Sequence, residues 1–459
     1  MSKAVIAIFD VGKTNKKLLL FDEAYQLLHE ESKPFAEITD EDGFACEDVQ
    51  ALTCWIKESF ATLTANEAYT IKAVNFSAYG ASFVYLDEKG EILLPLYNYL
   101  KPYPAALQKT FYDSYGGESR FAKQTASPVL GSLNSGMQLY RVKNEQPEIF
   151  KKIKYALHLP QYLSYVLGGK PATDITSVGC HTNLWNFTSG KYHSWVKEEG
   201  MEEKLPPVIP GTDIAGTVND IPVGVGLHDS SAALIPYFTA TAEPFILLST
   251  GTWCISLNPF NHHFLTDYEL HQDCLCYLSY KGNAVKAARL FAGYEHEQAI
   301  KRLAQHFNTT EDYYKQVKAD ETLLAKYHYP PPSMHKVQQT AMVSQSKFAT
   351  RDLSAYKAYE EAYHQLIADI MEQQVRSTNL VKKDTAVKRI YVDGGFGKNP
   401  VYMRMLANAF PGTEVYAASV AQASALGAAM AIHPHWNKKP LPTNIIHLER
   451  YASSVQAVK

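Results

Sequence analysis

Long hydrophobic runs are scarce in this chain. The most weakly polar stretch, Ala417 to Ile432, is rich in Ala and Gly and carries Gln422, which suits a closely packed helix better than a bilayer span of about 20 apolar residues. The opening run, Val5 to Phe9, is cut by Asp10 and falls short of the roughly 7–15 apolar residues of a secretory leader. Neither a membrane partner nor an export signal is expected, and the compartment expected is the cytoplasm. Charge of one sign is also lacking: a net charge of -3 gives no overall electrostatic footprint for nucleic acid. Cysteine is sparse. The 6 thiols, at Cys46, Cys54, Cys180, Cys254, Cys274 and Cys276, show no paired C-x-x-C spacing, so reduced structural thiols are expected. His271, Cys274 and Cys276 are too thin a set to argue for a metal. There is no low-complexity tract, and no GxxxxGK[ST] phosphate loop.

What is present is an ordinary globular composition, 46% apolar and 20% charged over 459 residues. That length exceeds one hydrophobic core, and two domains are expected. The small-residue bridge Thr239 to Pro244 is the candidate boundary, giving domains 1–238 and 239–459.

The stretch Val5 to Asp22 organises the rest. An apolar run, Val5 to Phe9, breaks at Asp10 and Gly12, and a second run, Leu18 to Phe21, follows at once. The pattern predicts a strand hairpin whose tip carries a carboxylate, a glycine, hydroxyl and amide groups and lysines. Such a tip could hold a phosphate chain, with turn amides near the oxygens, Lys13 or Lys17 as charge and Asp10 at a magnesium ion. A solvated polar turn explains the same residues equally well.

Further along, 48–63 has the spacing of an amphipathic helix. Residues 71–87 read as two strands around Tyr79, Gly80 and Ala81, and 105–165 reads as helical. Thr173 to Ser177 has the composition of a helix cap. Ile221 to Pro236 runs from a strand into a short helix through His228, Asp229, Ser230 and Ser231; an Asp there either caps the helix or takes a proton in a cleft. Phe245 to Leu257 repeats the opening plan of strand, turn and strand. Residues 283–306 and 353–377 read as helices. Lys388 to Val392 reads as a strand that enters the glycine turn Asp393 to Asn399, with a helix after it.

Taken in order, these segments resemble the FGGY carbohydrate kinases, a branch of the sugar kinase and actin-like ATPase superfamily. Asp10 to Lys17, DVGKTNKK, followed by Phe21-Asp22, is similar to the family's first phosphate motif, DxGTTSxR followed by FD. Ser249 to Trp253, STGTW, resembles the second phosphate motif, and Asp393 to Asn399, DGGFGKN, the adenosine motif. The His228-Asp229 segment resembles the one bearing the catalytic aspartate. Tyr79 to Asp87 resembles the sugar-side TWGVDFVLLD of rhamnulokinases and fuculokinases, and Leu159 to Tyr162 the family's PDY. The departures are Lys13 for Thr, Ser82 for Asp and Gln161 for Asp.

The resemblance implies an α/β chain of two domains, each with a ribonuclease H-like (actin-like ATPase) core, and an active site in the interdomain cleft. It implies a sugar substrate on the N-terminal domain and the cofactors ATP and Mg2+. Asp229 is implied as general base and Asp10 as the magnesium residue. Gly12, Lys13, Thr14, Asn15, Lys17, Thr252, Gly293, Gly395 and Asn399 are implied for the nucleotide, with Glu297 or Gln298 beside Gly293. Tyr79, Gly80, Ser82, His228, Asp229 and Ser230 are implied for the sugar, a ketose of the rhamnulose, fuculose or xylulose kind. The rival class is an actin-like sugar-sensing protein without catalysis, which has no chemical need of both aspartates. A glycerol-type kinase is disfavoured because the sugar-side segment lacks an Arg-Glu pair. A homodimer is left open.

Overall fold

The computed structural model describes residues 2–13, 15–327, 347–420 and 422–453. The chain forms two compact units: Met1–Ala240 with Cys276–Ala284 and Ala421–Ile445, and Thr241–Leu275 with Val285–Val420 and Ile446–Lys459. The division lies at the end of the helix Ile235–Ala240, and the first unit takes back two later segments that a division at 238/239 assigns to the second.

In the first unit the sheet runs, in spatial order, Ile214–Val218, Ile221–Gly224, Tyr69–Ala78, Lys3–Val11, Lys16–Asp22 and Leu27–Lys33. The central strand Lys3–Val11 is antiparallel to Lys16–Asp22 and parallel to Tyr69–Ala78. Val5, Ile6, Ala7, Ile8 and Phe9 are all fully buried, as an uninterrupted apolar run covered on both faces requires. On one face lies the helix Val49–Ala65, which presents Leu52, Trp55, Ile56, Phe60 and Leu63 to the core. Each of those side chains contributes about 1.5–3 kcal/mol on burial. Asp48 caps the helix by accepting the Ala51 N–H at 2.9 Å, worth about 1 kcal/mol. The returning helix Ala423–Ala431 packs closely: a Cβ on Gly427 would collide with the Ala232 carbonyl, and Asn75 Nδ2 donates to Ala428 O at 2.8 Å.

The second unit repeats the plan. Phe245–Thr250 is antiparallel to Cys254–Asn258 and parallel to Arg389–Gly394, with Ala284–Leu290 and Glu414–Ser419 extending the sheet on either side.

Some expectations change. The segment 105–165 is not helical throughout, because Tyr155–His158 is a strand paired with Phe83–Leu86. Residues 284–290 form a strand before the helix Ala292–Phe307, since pairing with Cys254–Asn258 overrides the helical propensity of an Ala-rich stretch. The helix expected within 417–432 begins only at Ala423, after the strand Glu414–Ser419. Among the described residues no group of His, Cys, Asp and Glu is arranged to hold a metal ion by itself, and no helix is long and apolar enough to cross a membrane.

Candidate active site

Three parallel strand ends in the first unit deliver the residues that matter. Asp10 lies opposite Ser77 in the register of Lys3–Val11 with Tyr69–Ala78, and Leu227–His228 pairs with Ser77 and Ala78. Asp229 then opens the short helix Asp229–Ala232. The carboxyl ends of parallel strands are where open α/β sheets place ligands. Asp10 Oδ2 accepts a hydrogen bond from Ser424 Oγ at 2.8 Å. Burial, and secondarily the negative charge of Asp229, push the Asp10 carboxyl up to about 6, against the opposing pull of Ser424, Ser77 and Lys17.

Asp229 is about one-third exposed, and its Oδ1 accepts the Ser230 N–H at 2.5 Å and the Ser230 hydroxyl at 3.2 Å. The buried His228 places Nε2 3.3 Å from the same oxygen and 3.1 Å from Cys180 Sγ. Burial lowers the His228 pKa, partly offset by Asp229, so the imidazole is held neutral. Its backbone is fixed by the N–H donated to Thr176 Oγ1 at 2.9 Å. Thr176 in turn is held by Asp174, which caps the helix Ile175–Val178. The cap anticipated at Thr173 to Ser177 therefore also sets the strand end that carries His228 and Asp229.

The sugar-side segment packs against this pair. Gly80 is tightly packed, since a Cβ would sit 3.0 Å from His228 Cδ2 and 3.2 Å from Cys180 Sγ and one of them would have to give way by a few tenths of an ångström. Ala81 adopts a left-handed conformation, φ 62. Ser82 is buried and donates to Tyr97 O at 3.3 Å. Tyr79 donates its N–H to Val11 O at 3.1 Å and meets Tyr99 with ring centroids 6.0 Å apart. Tyr99 is a residue the sequence reading missed: its phenol feels the charges of both Lys13 and Asp229. Ser424 was missed as well. Both lie far from the aspartates they approach, and no local motif marks either.

The hairpin turn closes through Gly12 N–H to Asn15 O at 2.9 Å. Its lysines are engaged. Lys13 Nζ lies 2.7 Å from Glu37 and 3.3 Å from Glu47, the buried Lys16 pairs with the buried Glu47 at 2.8 Å, and Lys17 reaches Glu30 at 2.9 Å and Gln422 at 3.1 Å. Breaking the buried Lys16–Glu47 pair from one side would cost about 3–5 kcal/mol, whereas the half-exposed Lys13–Glu37 contact is worth about 1 kcal/mol or less. Lys13 can therefore exchange partners and Lys16 cannot. Thr14 lies outside the described residues.

In the second unit the corresponding turn, Gly251 to Trp253, is exposed and closed by Gly251 N–H to Trp253 O at 2.9 Å. Gly293 is required by packing, because a Cβ there would collide with the Gly251 carbonyl. Thr252 O accepts the Tyr294 N–H at 3.2 Å, fixing the Thr252 turn to the start of the helix Ala292–Phe307. In the glycine turn the conformational demand falls on Gly394, with φ 90 and its α-carbon against Thr250, while Gly395 faces open space. Asn399 is occupied at both ends of its amide: Oδ1 caps the helix Pro400–Ala409, and Nδ2 donates to Tyr363 at 2.7 Å. Both Glu297 and Gln298 are exposed, and Glu297 pairs with Lys301 at 2.7 Å.

The donor set around Asp10 is one of hard oxygens: a buried carboxylate with a raised pKa, a neighbouring carboxylate whose charge it feels, and the Ser77 and Ser424 hydroxyls. Such a set fits a hydrated magnesium ion, which is typically held by one or two carboxylates together with waters and phosphate oxygens.

Residues 5–235 match the N-terminal domain of the FGGY family of carbohydrate kinases, and residues 242–440 match a C-terminal domain of carbohydrate kinase FGGY. The chain is similar to a rhamnulokinase of Halalkalibacterium halodurans, 24% identical over 53% of this chain and 52% of the relative. It is likewise 24% identical to a rhamnulokinase of Bacteroides thetaiotaomicron, over 54% of this chain and 53% of the relative. The chain thus spans about half the length of the rhamnulokinases it matches. In fold it is similar to a carbohydrate kinase of Novosphingobium aromaticivorans, with a TM-score of 0.78 at 22% identity, covering 99% of this chain and 95% of the other. A ligand-bound xylulose kinase of Lactobacillus acidophilus gives a TM-score of 0.78 at 17% identity, over 98% and 94% of the two chains.

Proposed function

Because the chain belongs to the FGGY family of carbohydrate kinases, we propose that it transfers the γ-phosphoryl group of ATP to a hydroxyl of a ketose of the rhamnulose, fuculose or xylulose kind. The observation that carries this reading is the convergence of Asp10 and Asp229 at the carboxyl ends of two strands that both pair in parallel with Tyr69–Ala78, near enough for Asp10 to feel the charge of Asp229. Two carboxylates so close have no structural benefit, since the charge of Asp229 adds to burial in disfavouring the ionised form of Asp10. Phosphoryl transfer needs both, one at the metal and one at the nucleophile.

In this reading Asp229 accepts the proton of the attacking sugar hydroxyl. Ser230 and His228 hold its Oδ1 and leave the other oxygen for the substrate. Gly80, Ser82 and Tyr79 shape the sugar pocket, with Tyr99 packed edge-on against Tyr79. Asp10, with water, would hold magnesium, whose charge would neutralise the phosphates. Gly12, Lys13, Asn15, Lys17 and Thr252 support the phosphate chain, and the Gly394–Gly395 turn meets the nucleoside. Asn399 and Gly293 act by shaping the turns, through the cap and the close packing described above. The reaction is placed in the cytoplasm.

A coupled assay of kcat/KM across L-rhamnulose, L-fuculose, L-xylulose, D-xylulose, D-ribulose and glycerol tests the reading. A ketose is expected to lead and glycerol to fail, because a site built on hydrogen bonds rejects analogues that leave its groups unpaired. Preference for glycerol or an aldose over every ketose would overturn it.

A further inference from the structure

The helix Ala423–Ala431 belongs to the first unit, although most of the second unit precedes it in sequence. Its attachments there are specific. Ser424 donates its hydroxyl to Asp10 Oδ2 at 2.8 Å. Gly427, three positions on and so on the same face, packs so closely on the helix Asp229–Ala232 that a Cβ would collide with Ala232 O. Ala428 O accepts Asn75 Nδ2 at 2.8 Å, and the other end of that fully buried amide, Oδ1, accepts the Gly226 N–H at 3.1 Å, just ahead of the strand Leu227–His228. One helix therefore holds the side chain of Asp10 and, from two directions, the backbone that carries Asp229.

The turn that opens this helix also meets the hairpin of Lys3–Val11 and Lys16–Asp22. Gln422 Oε1 accepts Lys17 Nζ at 3.1 Å and its Nε2 donates to Glu30 Oε1 at 3.1 Å, a cation and a carboxylate that fix which end of the amide is nitrogen. Gln422 does this in a left-handed conformation, φ 56, and such strain in a residue other than glycine persists only where the surroundings hold it. Ser424 has the chemistry of an orienting partner. Its single hydroxyl hydrogen, given to an ionised carboxylate, makes a charge-assisted bond that favours the form a cation needs and fixes the plane of the group. Such outer partners of metal-binding carboxylates are typically worth about 10–100-fold in metal affinity.

We propose that Ser424 is a positioning residue, whose hydroxyl fixes the Asp10 carboxyl for the cation from a helix that also holds the backbone of Asp229. The inference rests on the reading of Asp10 as the magnesium residue. Calorimetric titration of the full chain with ADP, in magnesium and again in EDTA, tests it on wild type, Ser424→Ala, Ser424→Thr, Asp10→Asn and the double variant Asp10→Asn/Ser424→Ala. Binding is read without turnover. In magnesium Ser424→Ala is expected to weaken ADP about tenfold, and in EDTA by less than about twofold. Ser424→Thr keeps the hydroxyl and is expected to stay within about twofold of wild type in both. On Asp10→Asn, which itself loses the magnesium effect, Ser424→Ala is expected to add nothing, since the two side chains act as one unit. Alanine is the better helix former, so Ser424→Ala carries no helical penalty. Equal loss in magnesium and EDTA, or no loss in either, would overturn the proposal and leave Ser424 a packing residue. So would a further loss of about tenfold when Ser424→Ala is added to Asp10→Asn. A magnesium effect that survives Asp10→Asn would instead overturn the reading of Asp10, and the inference with it.

Discussion

Gly80 and His228 are in such close approach that a Cβ on residue 80 would stand 3.0 Å from the imidazole Cδ2. The contact links the sugar-side segment to the residue that precedes Asp229. Gly80→Ala is expected to displace the ring, costing about 1–3 kcal/mol of stability as overpacking and raising the sugar KM about tenfold or more with a smaller change in KM for ATP. Thermal denaturation and steady-state kinetics check both; equal change in the two KM values would mean that the ring position is not felt by the sugar.

Lys13 stands where the family carries a neutral residue, and its ammonium is shared by Glu37 and Glu47. If it exchanges the exposed Glu37 for phosphate, Lys13→Thr weakens ATP about tenfold while leaving AMP nearly unchanged, as the loss of a charge-assisted contact implies. Glu37→Gln should tighten ATP about two- to threefold by removing the competitor. Fluorescence or calorimetric titration of both nucleotides decides; parallel losses for ATP and AMP would confine Lys13 to its carboxylate partners.

The raised pKa of Asp10 carries a stability consequence. Its carboxyl titrates near 3.8 when exposed and at about 6 in the folded chain, so between those values the folded state binds more protons than the unfolded one. Stability from this group therefore falls as pH rises from about 4 to about 6 and stays at its low value above. Asp10→Asn should raise the melting temperature at pH 8, by up to about 2 kcal/mol of stability, lose that gain toward pH 4, and abolish turnover. A destabilising variant at pH 8 would contradict the assignment of burial and like charge to this site.

Asn399 gives a sharper division between shape and contact. Asn399→Ala removes a cap and leaves the Tyr363 hydroxyl short of a donor, for a loss of about 1–2 kcal/mol, with KM for ATP changed by less than about threefold if the residue acts only through the turn. Urea denaturation and ATP kinetics separate the two, and a large KM effect at unchanged stability would return Asn399 to direct nucleotide contact.

The hairpins Lys3–Asp22 and Phe245–Asn258 were legible because each is an apolar run ended abruptly by Asp, Gly or Thr, a local signal that local structure obeys. The cap at Asp174 and the helix Val49–Ala65 were legible for the same reason. The strands Tyr155–His158 and Ala284–Leu290 were not, because their state is decided by partners 72 and 30 residues or so away rather than by their own composition. The cluster of Asp10, Gly80, His228 and Asp229 was readable because each stands in a local motif. What distant segments add to it was unreadable: Ser424 reaches Asp10 from a helix that returns to the first unit, and Glu37 and Glu47 claim a lysine that sequence alone leaves to the phosphate.

In the proposed reaction Asp229 takes the proton from the sugar hydroxyl and is more than the first residue of a short helix. Asp229→Asn keeps the shape and the Oδ1 acceptor for Ser230 while removing the base. Single-turnover kcat with the preferred ketose is expected to fall about 10²–10⁴-fold with sugar binding still measurable and the fold intact; a variant that keeps more than about a tenth of wild-type kcat would contradict the account.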